Sequence, residues 1–506
     1  MNNINTQPAR GIALKLFLTC WLIYTLHFAT NTVREIYPAL ALGDHFSFDV
    51  TEYLGLHPDL FEMPGRGAFI NNNPGASIFG AVPYALARPV VDRVVERVQA
   101  MRAAANTPPP EYNTIYPMSR EFYRQAYIRG YDVKFALGAG VMQAFMMAPL
   151  SALSVVVMFY ILLSRTGSTR RALWLAILYA FATPIFYRTA QLNQNLLISH
   201  MALFAFALLW HPWNATARAR YFFAGLCAGW AVVLDYSGLV VVAAMSVYAL
   251  VVWRDTPRAS RSIFDLARFA IGVAASGAVL MAYQWAAFGN PILPAQRYMP
   301  ATEFSGYGFR GMVLPQLDLL WDTAFGFRFG LFISAPILLL VFAVPLWLRR
   351  TARLIANRET WFVILFTVAF FLFSSASQYG RLQFNSGVRY IVPVTPFLFL
   401  IVAGVLLQLP SRLAIILGVV GTYWSWCLAM YRDVEQGWGV FESLIHITTE
   451  GVRLPWLMTF ERLGYIHNAT WWSAGVLVVS GACVWGLWKI KLPGRAPSGN
   501  SSLRSE

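Results

Sequence analysis

Apolar runs long enough to cross a bilayer recur along most of this chain, and nothing else restricts its fold as strongly. A crossing needs about 20 mostly apolar residues, because a helix rises roughly 1.5 Å per residue through about 30 Å of hydrocarbon. Segments near 12–30, 136–163, 172–187, 193–211, 220–235, 238–253, 265–287, 330–348, 360–376, 391–409, 412–431 and 470–489 meet that width or approach it. Only 12% of the 506 residues are charged, against about 25% in a soluble domain. The predicted fold class is an all-α polytopic membrane protein. It has about twelve transmembrane helices and a long first external loop carrying juxtamembrane helices. The run 12–30 is followed by no small-residue cleavage site and reads as a retained first helix.

Loop charge orients the bundle. A net charge of +15 would suggest nucleic acid in a soluble chain, but no nucleic-acid-binding motif is present. In a membrane chain, Arg and Lys hold cytoplasmic loops in place. Arg165, Arg170 and Arg171, then Arg218 and Arg220, Arg254, Arg258 and Arg261, Arg349, Arg350, Arg353 and Arg358, and Arg412 fall on one side if twelve helices alternate. Lys489, Lys491, Arg495 and Arg504 join them there. That side is read as cytoplasmic, with both termini in. The chain divides into an N-terminus and first helix (1–30), a first periplasmic loop (31–135), a bundle (136–489) with external loops near 288–329, 377–390 and 432–469, and a cytoplasmic tail (490–506) expected to be disordered. Cys20, Cys227, Cys427 and Cys483 lie inside apolar segments without metal-ligand spacing and read as small buried hydrophobes.

The first external loop holds the unusual chemistry. Between 31 and 86 stand Glu35, Asp44, Asp49, Glu52, Asp59 and Glu62, with Arg34, Arg66, His45 and His57. Charges at the mouth of a membrane bundle are expensive and commonly functional. Further on, 88–105 carries Val90, Val91, Val94, Val95, Val98 and Met101 at helical spacing, with Pro89 suited to a first turn. Such a helix can lie in the membrane interface or pack on the bundle. A stiff NTPPPEY link and a second helix near 119–130 follow.

Sugar transfer from a lipid phosphate needs a carboxylate to accept the acceptor's proton and cations to stabilise the departing phosphate. Asp49 in FSFDVTEY is the leading base, with Asp44 in GDHF second, although Asp44 also suits a cap or turn. Glu35, Asp59 and Asp235 are further candidates. Asp235 is the one acid between two closely spaced apolar helices, where a structural role competes. Arg34, Arg66, Arg297 and Arg389 are candidate phosphate ligands, because arginine grips phosphate bidentately; Tyr390 is a candidate donor contact. HEXXH, CXXC, GXSXG and phosphate-loop patterns are absent. No pattern requires a cofactor, and a divalent metal stays open.

Four stretches carry a family resemblance: REIYPALALGDHFSFDVTEY leading to AFINNNPGASIFGAVPYAL, LDYSG, FGNPILPAQRY continuing to LLWDTAFGFRFGLFISAPILLL, and SGVRYIVPVTPFLFL. They resemble the GT-C superfamily of polytopic glycosyltransferases, in particular bacterial relatives of the protein O-mannosyltransferases and the lipid A aminoarabinose transferases. The resemblance implies a polyprenyl-phosphate sugar donor, a periplasmic active site in the first loop, an acidic base there, and inversion at the anomeric carbon. The acceptor would be a lipid, glycan or protein hydroxyl. Two positions depart from the family pattern. Asn31 and Thr32 occupy the slot after the first helix where relatives often have an acid. Asn72-Asn73-Pro74-Gly75 lacks the Lys that often precedes such a Pro step. Three other readings stand beside this one. They are a flippase for lipid-linked saccharides, a non-catalytic envelope-assembly subunit, and a ligase-like enzyme using a lipid diphosphate.

Overall fold

The computed structural model describes residues 6–210, 217–343, 345–346, 354–383 and 387–490. The tail from 491 onward and Arg349, Arg350 and Arg353 lie outside the described residues. Helices dominate. In chain order they are α1 (Thr6–Leu26), α2 (Ile36–His45), α3 (Gly75–Ala105), α4 (Pro117–Ile128), α5 (Asp132–Thr166), α6 (Thr169–Phe181), α7 (Pro184–Arg188) and α8 (Gln194–Trp210). The second half adds α9 (Ala217–Leu234), α10 (Gly238–Asp255), α11 (Ile263–Phe288), α12 (Leu317–Phe325), α13 (Leu331–Ser334), α14 (Asn357–Ala376), α15 (Thr395–Leu406), α16 (Ser411–Met430), α17 (Val440–Glu450), α18 (Pro455–Arg462) and α19 (Ala469–Lys489).

Seven described helices are long and apolar enough to span a membrane, with three shorter apolar ones at Gln194–Trp210, Ala219–Leu234 and Val392–Leu406. Of the twelve expected segments, 172–187 and the described part of 330–348 are interrupted at proline. A residue before proline is pushed out of the helical region. Thr183 is extended and caps α7 by accepting from the Ile185 amide at 3.3 Å, so 172–187 is two helices. Pro336 likewise stops α13 and starts a 3₁₀ turn, Pro336–Phe342. Elsewhere the expected limits extend: α5 runs for 35 residues through a π turn at Gln143–Met147.

The first loop differs from its sequence reading in two ways. The amphipathic stretch is no separate helix starting at Pro89. It is the second half of α3, 31 residues long, which passes through Pro83 and Pro89. The loop also holds a hairpin just beyond Val50. There β1 (Leu60–Met63) pairs antiparallel with β2 (Gly67–Ile70), with Leu60 opposite Ile70 and Met63 opposite Gly67. Gly65 and Gly67 turn the hairpin at positive φ.

α9 and α11 meet through small residues. Gly225, Gly229, Gly272 and Ser276 face one another, and the Ser276 hydroxyl donates to the Leu226 carbonyl at 2.9 Å. In lipid, helix pairs gain little from the hydrophobic effect, so close backbone approach matters more. A Cβ on Gly225 would strike the Phe269 carbonyl. Gly225→Leu is therefore expected to lower stability by roughly 1–3 kcal/mol through overpacking. Gly475→Leu, where the space is open, should leave it unchanged. Thermal unfolding in detergent compares the two.

Candidate functional site

The long connections converge on one cleft of about 810 Å³. The α1–α2 link contributes Thr30 to Glu35. The stretch before β1 contributes His57 and Asp59, and the α3–α4 region contributes Tyr112, Tyr116 and Tyr123. Arg188 and the polar run Gln191 to Asn195 come from the turn after α7. Glu303, Tyr379, Arg389 and Tyr390 enter from the later loops, with Arg432, Asp433, Glu435 and Arg462 from beyond α16. Segments assigned to one side by charge thus meet in one place, although far apart in sequence.

One end of the cleft is an acid–cation clamp. The Arg34 Nε lies 3.5 Å from Glu35, and its Nη1 lies 3.2 Å from Asp59 and donates to the Asn71 side chain at 3.2 Å. Burial pulls the Arg34 pKa down, but Glu35 and Asp59 outweigh it and hold it above the usual value. The Glu35 side chain is 4% exposed and that of Asp59 30%, so Asp59 is the carboxylate a solute can reach. The Asp59 amide donates to His57 Nδ1 at 3.1 Å. That assigns the proton of neutral His57 to Nε2, and burial, first, keeps the ring neutral by lowering its pKa.

Arginines gather elsewhere in the lining. Burial, then Arg432 and Arg389, push Arg188 down to about 9. Burial pushes Arg432 down to about 10. Arg432 donates to the Tyr187 carbonyl at 3.0 Å, and Arg389 lies over the Tyr390 ring at 5.2 Å. Like charges within Coulombic reach in a partly buried cleft make a ready anion site.

The structure moves several sequence candidates away from this cleft. Asp49 is not in the lining. Its Oδ1 accepts from the Thr51 amide at 3.0 Å, the Thr51 hydroxyl at 2.5 Å and the Ala68 amide at 3.0 Å, which pins the hairpin to the preceding turn. Burial raises its pKa, but the bonds from Thr51 and Ala68 prevail and hold it below the usual carboxylate value. Asp44 is buried at the end of α2, 2.7 Å from Lys134 and 3.4 Å from Arg88, and accepts from the Tyr84 hydroxyl. Asp44, His45 and Glu52 each place one ligand atom within 4.8 Å of the others, yet Asp44 is already matched by two cations. Arg66 donates to the Trp285 and Ala286 carbonyls, where cations complement the end of α11. Arg297 is outside the lining. Asp235 caps its own turn through the Ser237 amide and accepts from Gln194 at 3.0 Å. The cleft brings together Arg34, Glu35, Asp59, Arg389 and Tyr390.

Sequence reasoning passed over Arg188, Arg432 and Arg462 and gave His57 no role of its own. The signal was present for the first: Arg188 opens the run RTAQLNQN, a polar stretch between apolar helices. The missing Lys before Pro74 also has a local explanation. Asn73 donates to the Val232 carbonyl at 2.7 Å, and a Cβ on Gly75 would meet the Val233 carbonyl at 2.7 Å. This corner docks α3 on α9. No family model, curated protein or solved structure matches the chain.

Asp49→Ala should leave the Ala68 amide only the Thr51 hydroxyl, 2.9 Å away, as acceptor and loosen the hairpin, with phosphate binding in the cleft unchanged. Hydrogen exchange is expected to speed up at Ala68, with phosphate binding read in parallel. Because the Asp49 pKa is depressed on folding, its stabilising contribution is present above the unfolded value and fades as pH falls toward the folded one.

Proposed function

We propose that this protein is a membrane glycosyltransferase that moves a sugar from a polyprenyl-phosphate donor to an acceptor hydroxyl, with inversion, at the outer face of a bacterial inner membrane. The observation that carries the reading is the pairing, in one cleft, of an accessible carboxylate clamp at Arg34 with the arginine cluster of Arg188, Arg389 and Arg432. Those are the two things the transfer needs, and the family resemblance of the first loop agrees with them.

In this mechanism Asp59, in place of Asp49, takes the acceptor proton. The acceptor oxygen bonds to the anomeric carbon as the bond to the phosphate oxygen breaks, and the electron pair leaves with the phosphate. Arg188, Arg389 and Arg432 offset the charge that develops there. Arg34 holds Asp59 and Glu35 in place. Gln191, Asn193, Gln194 and Asn195 offer amides at hydrogen-bonding reach of sugar hydroxyls that enter the cleft. No metal is built into this scheme.

A translocator would need a polar path through the bundle. Gln143 donates to the Tyr24 and Thr189 carbonyls, His200 bonds Ser151 at 2.9 Å, and Gln284 donates to the Tyr236 hydroxyl, which leaves Gln143 Oε1 and His200 Nδ1 as unpartnered polar atoms on these residues. That favours the transferase over the flippase.

The test is transfer of radiolabelled sugar from synthetic polyprenyl-phosphate donors by the protein in liposomes. Asp59→Asn is expected to lower kcat by about 10²–10⁴, the usual worth of a general base. Full activity in Asp59→Asn with none in Glu35→Gln would transfer the role to Glu35. Arg389→Gln is expected to reduce turnover with the donor still saturable.

A further inference from the structure

Gln191, Asn193, Gln194 and Asn195 all line the cleft, and the first three have neighbours. Gln191 Oε1 lies 3.5 Å from Arg432 Nη2, Asn193 Oδ1 accepts from the Leu196 amide at 3.0 Å, and Gln194 Nε2 donates to Asp235 at 3.0 Å. Asn195 is different. It is 1% exposed, and neither its Oδ1 nor its Nδ2 has a hydrogen-bond partner among the described residues. Its place is fixed by the backbone. Asn193 caps the start of α8, so Asn195 stands in the first turn, at the positive end of the helix.

A buried carboxamide with both atoms unmatched costs free energy, which a matching ligand relieves. Water serves these atoms until a solute displaces it. The solute must then bring a hydroxyl that donates to Oδ1 and an oxygen that accepts from Nδ2. The two atoms lie side by side on one planar group, as do hydroxyls on neighbouring ring carbons. A vicinal diol therefore fits both. An acetamido group does not, because its N–H and C=O point to opposite sides of a trans amide. An ammonium has donors only and leaves Nδ2 unmatched. It would also face the positive end of α8, in a lining that Arg188 shares. Asp235, the acid bonded to Gln194, is not part of that lining.

We propose that Asn195 reads two neighbouring hydroxyls of the transferred sugar, so that the donor carries a neutral sugar with a free vicinal diol and not an amino sugar. This rests on the transferase reading of the cleft. The preference differs from that of an aminoarabinose transferase. A site built from buried hydrogen-bonding groups rejects an analogue lacking the partner far more strongly than an apolar wall rejects a missing methylene. Discrimination therefore falls on the two hydroxyls that face Asn195, and an apolar side chain there erases it.

The experiment titrates the full-length protein in detergent with polyprenyl phosphate bearing mannose, glucose or galactose, and with bare polyprenyl phosphate. The tightest of the sugars is then compared with its singly deoxygenated forms and with forms carrying an amino group in place of one hydroxyl. Wild type is set beside Asn195→Leu and Asn195→Asp, with unfolding midpoints to check that both are folded. In wild type, loss of either of two adjacent hydroxyls is expected to weaken binding roughly 10–100-fold, the worth of a buried polar atom left unpaired. In Asn195→Leu the same two losses should have no effect. Asn195→Asp, which offers two acceptors, should bind an amino form more tightly than wild type does. Deoxygenation losses of equal size in wild type and Asn195→Leu overturn the role of Asn195 and leave the donor site standing. No gain for any amino form in Asn195→Asp overturns it too, whether or not the leucine variant folds. A loss confined to one hydroxyl overturns the diol, and an amino form bound by wild type as tightly as its parent overturns the neutral sugar. Sugar phosphates bound no more tightly than bare polyprenyl phosphate overturn the sugar contact. No binding of any of these lipids overturns the transferase reading as well.

Discussion

The ion contact of Arg34 with Glu35 and Asp59 is what the mouth of this bundle depends on. A carboxylate or a guanidinium moved out of water costs several kcal/mol unless a partner and hydrogen bonds compensate. Glu35 is almost wholly withdrawn from solvent, and Arg34 is largely withdrawn. Neither would be tolerable there alone. Because one guanidinium serves two carboxylates, the link after α1 and the stretch before β1 are fixed to one point, and the cleft wall takes its form from it. In the arginine cluster, Arg432 and Arg389 add to the cost of holding Arg188 charged.

Among the helices Gln143 and His200 each bond a near neighbour, while the cleft is lined largely by the connections between helices. Small residues bring α9 and α11 together, and Asn73 with Gly75 seats α3 on the end of α9. The loop elements are thus mounted on rigid supports, which a positioned carboxylate requires.

Much of the helical layout was legible in the sequence, because apolar length is a direct statement about hydrocarbon. The breaks at Thr183-Pro184 and Ala335-Pro336 were legible too, by the rule for residues before proline, but apolar content masked them. α3 was not: Pro83 and Pro89 argue locally for an interruption, and tertiary packing overrides them. Residue type singled out Arg34, Glu35, Asp59, Arg389 and Tyr390, which line one cleft. It could not rank Asp49 against Asp59, since that depends on which carboxylate is taken up by local amides. Thr51 and Ala68 claim Asp49. Nor could it find Arg432, whose place in the cleft depends on a contact between segments more than two hundred residues apart.

The roof of the cleft has an order of manufacture. Asn113 donates to the Arg462 carbonyl at 3.2 Å, the Tyr116 hydroxyl reaches Asp433 at 2.8 Å, and Thr30 meets Thr459 at 2.6 Å. Trp456 donates to the Leu26 carbonyl, and Lys15 of α1 to the Trp488 carbonyl of α19. The first loop is thus closed by segments that are synthesised well after it. While synthesis proceeds from the N-terminus, the early segments wait beside the membrane without their lid. A chain that stalls before α18 has its clamp and lacks Arg462 and the seam that seals the wall. Synthesis of α18 is the event that closes this wall, and a chain truncated before it carries an open one.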